Sequence, residues 1–307
     1  MSKYGSTQTS IQYRGIVAQA SCLHSVGLQA GRLRYKFFHF TALSCTKVRK
    51  VAGGLMVFLC VLLAGASVGA PAGDSDSDIE SGAALKLTVR KFFAAPGGAQ
   101  QGIATDGTHV FVQSTFVLVK YDMTGAELAR TSKLEWHHGG ITYHDGKVYA
   151  AASECCKKGT KVHLVCVYDA ETLEKVAEHD IGEHFTVCAG GIAYYDGHFY
   201  VAESYFDDEH NDYIVEFDPA FNRVASYTLD FKCPYGIQGL DYIPQLKKFM
   251  VNSHGREFYL VDTSLDSGTV EPGLAPFNLQ DVAYLNPATL LLNQRDSREV
   301  AFVSLGK

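Results

Sequence analysis

No Asp or Glu occurs before Asp74 in this 307-residue chain. The first 73 residues carry eight bases (Lys3, Arg14, Arg32, Arg34, Lys36, Lys47, Arg49 and Lys50), which leaves nineteen bases against 33 acids beyond them, a net charge of about −14. An acidic body of this kind repels phosphate backbones and argues against a nucleic-acid partner. Also missing are a GxSxG elbow, an HExxH pair, and any Walker or dinucleotide glycine pattern. Serine hydrolase, zincin and nucleotide-dependent readings therefore lose the residues their chemistry needs. There is no CxxC pair, so the cysteines fit no zinc template.

The acid-free leader has the composition of an address. "KVRKVAGGLMVFLCVLLAGASVGAPA" combines basic flanking residues, an apolar run from Leu55 to Leu63, and small residues spaced for signal-peptide cleavage. The uncharged stretch 51–73 is also long enough to span a bilayer as a type II signal anchor, with its basic side cytoplasmic. An organelle transit peptide is a third reading. The first two put the body on the secretory route, either extracellular or tethered to a membrane through 51–73. Five cysteines (Cys155, Cys156, Cys166, Cys188 and Cys233) lie beyond the leader, an odd number, so at least one thiol stays free or pairs between chains. A bond between adjacent Cys155 and Cys156 is strained, which favours partners among the other three.

Residues 1–73 are thus a basic leader and 74–84, "DSDSDIESGAA", an acidic linker. Residues 85–307 carry a recurring module: "QGIATDGTHVFVQST", "GGITYHDGKVYAAAS", "GGIAYYDGHFYVAES", "GLDYIPQLKKFMVNSH" and "DVAYLNPATLLLNQR". Each reads as a strand, a tight turn and a second alternating strand, with Asp106-Gly107, Asp145-Gly146 and Asp196-Gly197 expected to supply positive φ at the turns. A third strand ends in an Asp (Asp122, Asp169, Asp218, Asp262) placed to fold back on its own backbone and start the hairpin to a fourth. Measured from Gly102, Gly140, Gly191, Gly239 and Asp281, the spacings are 38, 51, 48 and 42 residues. Four antiparallel strands every 40 to 50 residues make the blades of a β-propeller. The expected fold is all-β, a five-bladed propeller in which the N-terminal strand 85–93 closes the last blade. A six-bladed ring is the alternative.

In such a disc the start of strand one and the end of strand two share one face. That face gathers Gln101, His137, His138, Cys188, Gln238 and Gln280 with Gln113, Glu203, Asn252, His254, Arg256 and Arg295. From this set Gln101, His137, Gln238, Asn252, His254 and Arg295 are the expected ligand-binding residues. Glu203, following the apolar "HFYVA", and His138 are the candidate acid/base or metal-binding pair, against the plainer reading of Glu203 as a carboxylate bonded to backbone amides. The loop "YFDDEHND" offers Asp207 and Asp208 to a divalent cation such as calcium, or is simply a solvated acidic loop.

The segments "GGI.Y.DG..Y.A" and "V.VYD..TLE" resemble those of secreted NHL-like and gluconolactonase-like propellers, and more closely those of propeller proteins with "GGI.YHDG" repeats. Gluconolactonase-like enzymes are six-bladed and hold a divalent metal in the channel through Glu, Asn and Asp. This chain shows five repeats and no matching set, so their catalytic residues are not carried across. The expected function is a secreted or membrane-tethered binding module for a small polar molecule, a glycan or a partner protein. The alternative is a metal-assisted hydrolase or lyase acting on a sugar, lactone or ester.

Overall fold

A computed structural model describes residues 85–205, 212–266 and 270–306. The leader 1–73, with its candidate membrane segment 51–73, and the linker 74–84 lie outside these residues. Among the described residues no helix is long and apolar enough to cross a membrane.

Strand β1 (Lys86–Ala94) precedes three four-stranded antiparallel sheets. The first is β2 (Gly102–Thr105), β3 (His109–Gln113), β4 (Leu118–Asp122) and β5 (Glu127–Arg130); the second is β6 (His137–His144), β7 (Lys147–Ser153), β8 (His163–Asp169) and β9 (Lys175–Asp180). The third is β10 (Cys188–Tyr195), β11 (His198–Ser204), β12 (Tyr213–Phe217) and β13 (Arg223–Thr228). A seven-stranded sheet follows, in the order β1, β19 (Glu299–Gly306), β18 (Thr289–Gln294), β17 (Glu271–Asn286), β16 (Gly255–Asp262), β15 (Lys248–Asn252), β14 (Gly239–Ile243).

The 16-residue β17 explains that last sheet. Its first part pairs with β16 (Leu274 opposite Glu257), and its second part pairs with β18 (Val282 opposite Leu292). One strand is therefore the outer edge of one blade and the inner edge of the next. Strand β1 pairs with β19 from Lys86–Gly306 to Ala94–Glu299, so the two ends of the described chain share a blade, as expected. This covers the edge of β19 and leaves β1 as the outer strand of that blade. Counted this way, the described residues form five four-stranded blades whose inner strands neighbour one another in the order β2, β6, β10, β14, β17 and back to β2.

Alternation along each strand sends apolar side chains into the spaces between blades. Ala104, Phe111 and Leu118 of the first blade meet Ile141, Val148 and Leu164 of the second, and Ile103, Val110 and Val119 meet Leu291, Val300 and Phe302 of the last. Polar side chains at the ends of second strands then staple neighbouring blades. The Ser153 hydroxyl accepts from Ala189 N–H (3.0 Å), and the Ser204 hydroxyl donates to Ile237 O (3.0 Å). Asn252 Nδ2 donates to Gln280 O (2.7 Å), and Asn293 Nδ2 to Gln101 O (3.1 Å).

The turn chemistry follows the sequence with one exception. Asp145 and Asp196 have φ of 45° and 48° beside Gly146 and Gly197 at 72° and 86°. At the first turn only Gly107 is left-handed (88°), because the Asp106 carboxylate accepts from the Thr108 and His109 amides and holds a different loop. The Asp that ends each third strand folds back as expected at Asp122, Asp169 and Asp218, which accept from amides two to four residues on. Asp262 is ion-paired with Lys248 Nζ at 2.6 Å.

The paired glycines of the repeats mark the closest approach of inner strands. A Cβ at Gly190 would collide with the Ser204 hydroxyl and the Ile237 carbonyl. Gly190→Ala is expected to destabilise the fold by about 1–3 kcal/mol through overpacking, read as a lower urea midpoint with unchanged slope. An unchanged midpoint would show that the inner ring yields at that point.

Candidate functional site

The five inner strands begin on one face, and the repeats put Gln101, Gly139, Gly190, Gln238 and Gln280 at the same register. The two glycines leave room beside the three amides. Into that room come His137 and the Cys156–Cys188 disulfide, which links the β7–β8 loop to the first residue of β10. Gln101, His137, Gln238, His254, Arg295 and the disulfide line a cavity of about 90 Å³. Two further cavities, of about 230 and 280 Å³, share His254 and extend along Gly255.

The polar groups here form one directed network. Arg295 Nη1 donates to Gln280 Oε1 (3.0 Å) and lies 3.0 Å from His254 Nδ1. A guanidinium has only donors, so His254 Nδ1 is the acceptor. Gln280 Nε2 donates to Gln101 Oε1 (3.1 Å) and Gln238 Oε1 (3.2 Å). Gln101 Nε2 donates to Thr115 Oγ1 (3.2 Å) and lies 3.4 Å from His137 Nε2, while Gln238 Nε2 donates to Tyr235 O (2.7 Å). Each amide both gives and accepts, which locks all three in one orientation.

Burial, reinforced by the nearby Arg295 charge, holds the His254 imidazole down at about 4, and the same two causes lower His137. Both rings are neutral at neutral pH. Arg295, half-buried, is the charged side chain of the cavity wall, and no carboxylate forms an ion pair with it among the described residues.

The candidate catalytic pair is not brought together. His138 is buried within its blade, where its Nδ1–H donates to Trp136 O (2.9 Å) and its Nε2 accepts from the Tyr168 hydroxyl (2.7 Å). Desolvation lowers it to about 4. Glu203 Oε1 accepts from the Thr186 amide (2.6 Å), the Thr186 hydroxyl (2.9 Å) and the Val187 amide (3.0 Å). No hydrogen bond or ion pair joins Glu203 to His138 among the described residues. The amide-bonded carboxylate, the plainer of the two readings, describes Glu203, because the turn before β10 aims its amides at it.

Of the expected ligand-binding residues, Gln101, His137, Gln238, His254 and Arg295 converge on the cavity. Asn252 does not line it: fully buried, it is the inter-blade staple to Gln280 O. Gln280, which belonged to the wider set on this face, is the hub of the network. The signal for it lay in the repeats, since "QGI", "QGL" and "QDV" place Gln101, Gln238 and Gln280 alike. Asp207 and Asp208 lie outside the described residues. Asp212, at the end of the same loop, accepts from the Tyr205 hydroxyl (3.1 Å) and the Cys233 amide, and burial raises it to about 6. Among the described residues no three His, Cys, Asp or Glu side chains converge as a metal-ligand set.

No protein-family model matches the chain, and no curated protein does. Solved structures do. Glutaminyl cyclase of Myxococcus xanthus is 14% identical with a TM-score of 0.54, covering 71% of this chain and 96% of that one. The PQQ-bound aldose sugar dehydrogenase of Streptomyces coelicolor is 12% identical (TM-score 0.42), covering 72% of this chain and 98% of that one. The WD40 β-propeller domain of Doa1 is 10% identical (TM-score 0.40), covering 66% and 78%. At 14% identity a likeness carries the architecture and not the activity, and the architecture is that of a β-propeller.

Proposed function

We propose that the protein is a binding module whose Gln101 face takes a small polar molecule bearing a carboxylate or similar anionic group. The observation that carries this reading is Arg295: a half-buried guanidinium bonded to an amide and an imidazole, near the Asp296 charge but ion-paired with no carboxylate among the described residues. A guanidinium offers several donors in a plane, and Arg295 Nη1 is the one its protein contacts use, so donors are left for a planar anion. Gln101, Gln238 and Gln280 fix the orientation of the site in advance, which lowers the cost of binding. The two larger cavities beside His254 give the rest of the molecule somewhere to lie. The Cys156–Cys188 disulfide supports a place on the secretory route, where such bonds persist.

The test is calorimetric titration with glucuronate, gluconate and lactate, with glucose as the neutral control. At least one carboxylate is expected to bind more tightly than glucose, and Arg295→Gln to weaken it about tenfold or more. Equal binding of glucuronate and glucose, unaffected by that substitution, would remove Arg295 from the reading. Because burial keeps His254 at about 4, the affinity is expected to stay flat between pH 5 and 8. A drop across that range would mean that an imidazolium supplies the charge.

A further inference from the structure

The inner strands end on the opposite face, and the repeats are alike there too. Counted from Gly102, Gly140, Gly191, Gly239 and Asp281, the fourth residue of each repeat is Thr105, Tyr143, Tyr194, Tyr242 or Tyr284. The third is Ala104, Thr142, Ala193, Asp241 or Ala283, four small or uncharged side chains and one carboxylate. All of these but Ala193 line a cavity of about 260 Å³ with no Lys, Arg or His in its wall. We propose that this mouth is a second ligand site, for a small organic ammonium ion, with Asp241 as its counter-ion and the tyrosines as its walls.

Asp241 is held for that role. Its Oδ1 accepts from the Tyr242 amide (2.9 Å) and its Oδ2 from the Tyr284 amide (2.7 Å), which leaves each oxygen able to accept again. Three of the tyrosines are packed against other rings. Tyr143 stacks on Phe111 of the preceding blade (6.0 Å, 4°), Tyr194 on His144 (3.6 Å), and Tyr242 packs against Tyr195 (4.0 Å). Aromatic walls and a carboxylate are the two surfaces that attract an organic cation.

A second carboxylate stands behind the first. Asp281 is buried, with its oxygens bonded to the Ile103 amide (3.0 Å) and the Val282 amide (2.8 Å), and burial pushes it well above the usual range. Burial first, and then the neighbouring Asp241 carboxylate, oppose its ionisation. Burial raises Asp241 to about 7. Asp281, the tyrosines of the wall and His144, which stacks on Tyr194 and is lowered by burial, surround it; Asp241 is the carboxylate that gains its charge as pH rises through about 7. Ammonium binding therefore strengthens as pH rises through 7.

The experiment titrates the wild-type protein with n-butylammonium, choline and butyrate at pH 6 and pH 8, then repeats it on Asp241→Asn and Tyr194→Ala. The expected result is binding of an ammonium ion and not of butyrate, with affinity about tenfold higher at pH 8 and the pH dependence lost in Asp241→Asn. Choline binding as well as butylammonium would assign the attraction to charge and aromatic walls; butylammonium alone would assign it to N–H donation onto Asp241. Binding of neither, or binding independent of pH in the wild type, overturns the proposal even if a variant fails to fold. Because the Arg295 site lies on the other face, the two proposals stand or fall separately.

Discussion

Reduction of the Cys156–Cys188 disulfide is expected to lower the free energy of unfolding by about 3–4 kcal/mol. The bond closes a loop between residues 32 apart, and cross-linking a loop of that length removes conformational entropy chiefly from the unfolded chain. It also ties the second blade to the third at the Gln101 face, with Cys156 Sγ 3.4 Å from His137 Nδ1. Reduction should thus loosen the cavity as well as the fold. Urea unfolding with and without a thiol reductant measures the effect, and equal midpoints would show that the crosslink does not form in the protein. Cys155→Ser provides the control. Its Sγ already sits 3.1 Å from Thr160 Oγ1, a contact that a serine hydroxyl retains. Cys166 and Cys233 do not compete for the bond: both are buried, and desolvation pushes their thiols up, Cys166 to about 11.

His138→Ala is expected to cost on the order of 3 kcal/mol at pH 7.5, and to leave binding at the Gln101 face intact, since His138 does not line that cavity. The loss comes from a vacated core position and from Trp136 O and the Tyr168 hydroxyl left without their imidazole partner. It should also depend on pH. In the folded protein His138 titrates at about 4, against a reference value of 6.5. A histidine whose folded value is depressed contributes stability that is fully present above pH 6.5 and is lost as pH falls through 4. The difference between wild type and variant should therefore shrink between pH 6.5 and pH 4, by on the order of 3 kcal/mol. Asp212 and Asp241, raised to about 6 and about 7, act in the opposite sense, stabilising at low pH and losing that contribution as pH rises. Comparing the two proteins cancels them. A His138→Ala protein of unchanged stability but without ligand binding would return His138 to the site.

Much of the architecture was legible because its causes are local. The Asp-Gly turns, the Asp at the end of each third strand and the alternation of apolar residues lie within a few positions of what they govern. Strand 85–93 could be assigned to the last blade because the final repeat stops after its third strand. The continuity of β17 was not legible. Glu271–Asn286 contains two prolines and spans the join between two blades, and only the pairing partners on its two sides show that it is one strand.

The repeat, the turn residues and the face on which Gln101, His137, Gln238, His254 and Arg295 gather were determined by the sequence alone. Which of these polar groups meet was decided by the tertiary structure. His137 and His138 are adjacent in a strand, where successive side chains point to opposite sides. His137 accordingly lines the cavity and His138 is buried in its blade. Glu203 has its partners in a turn seventeen residues earlier, and Gln280 reaches Gln101 across 179 residues. Contacts of that kind exist only once the ring closes: the repeats align Gln280 with Gln101 and Gln238, but which side chains meet is decided by closure.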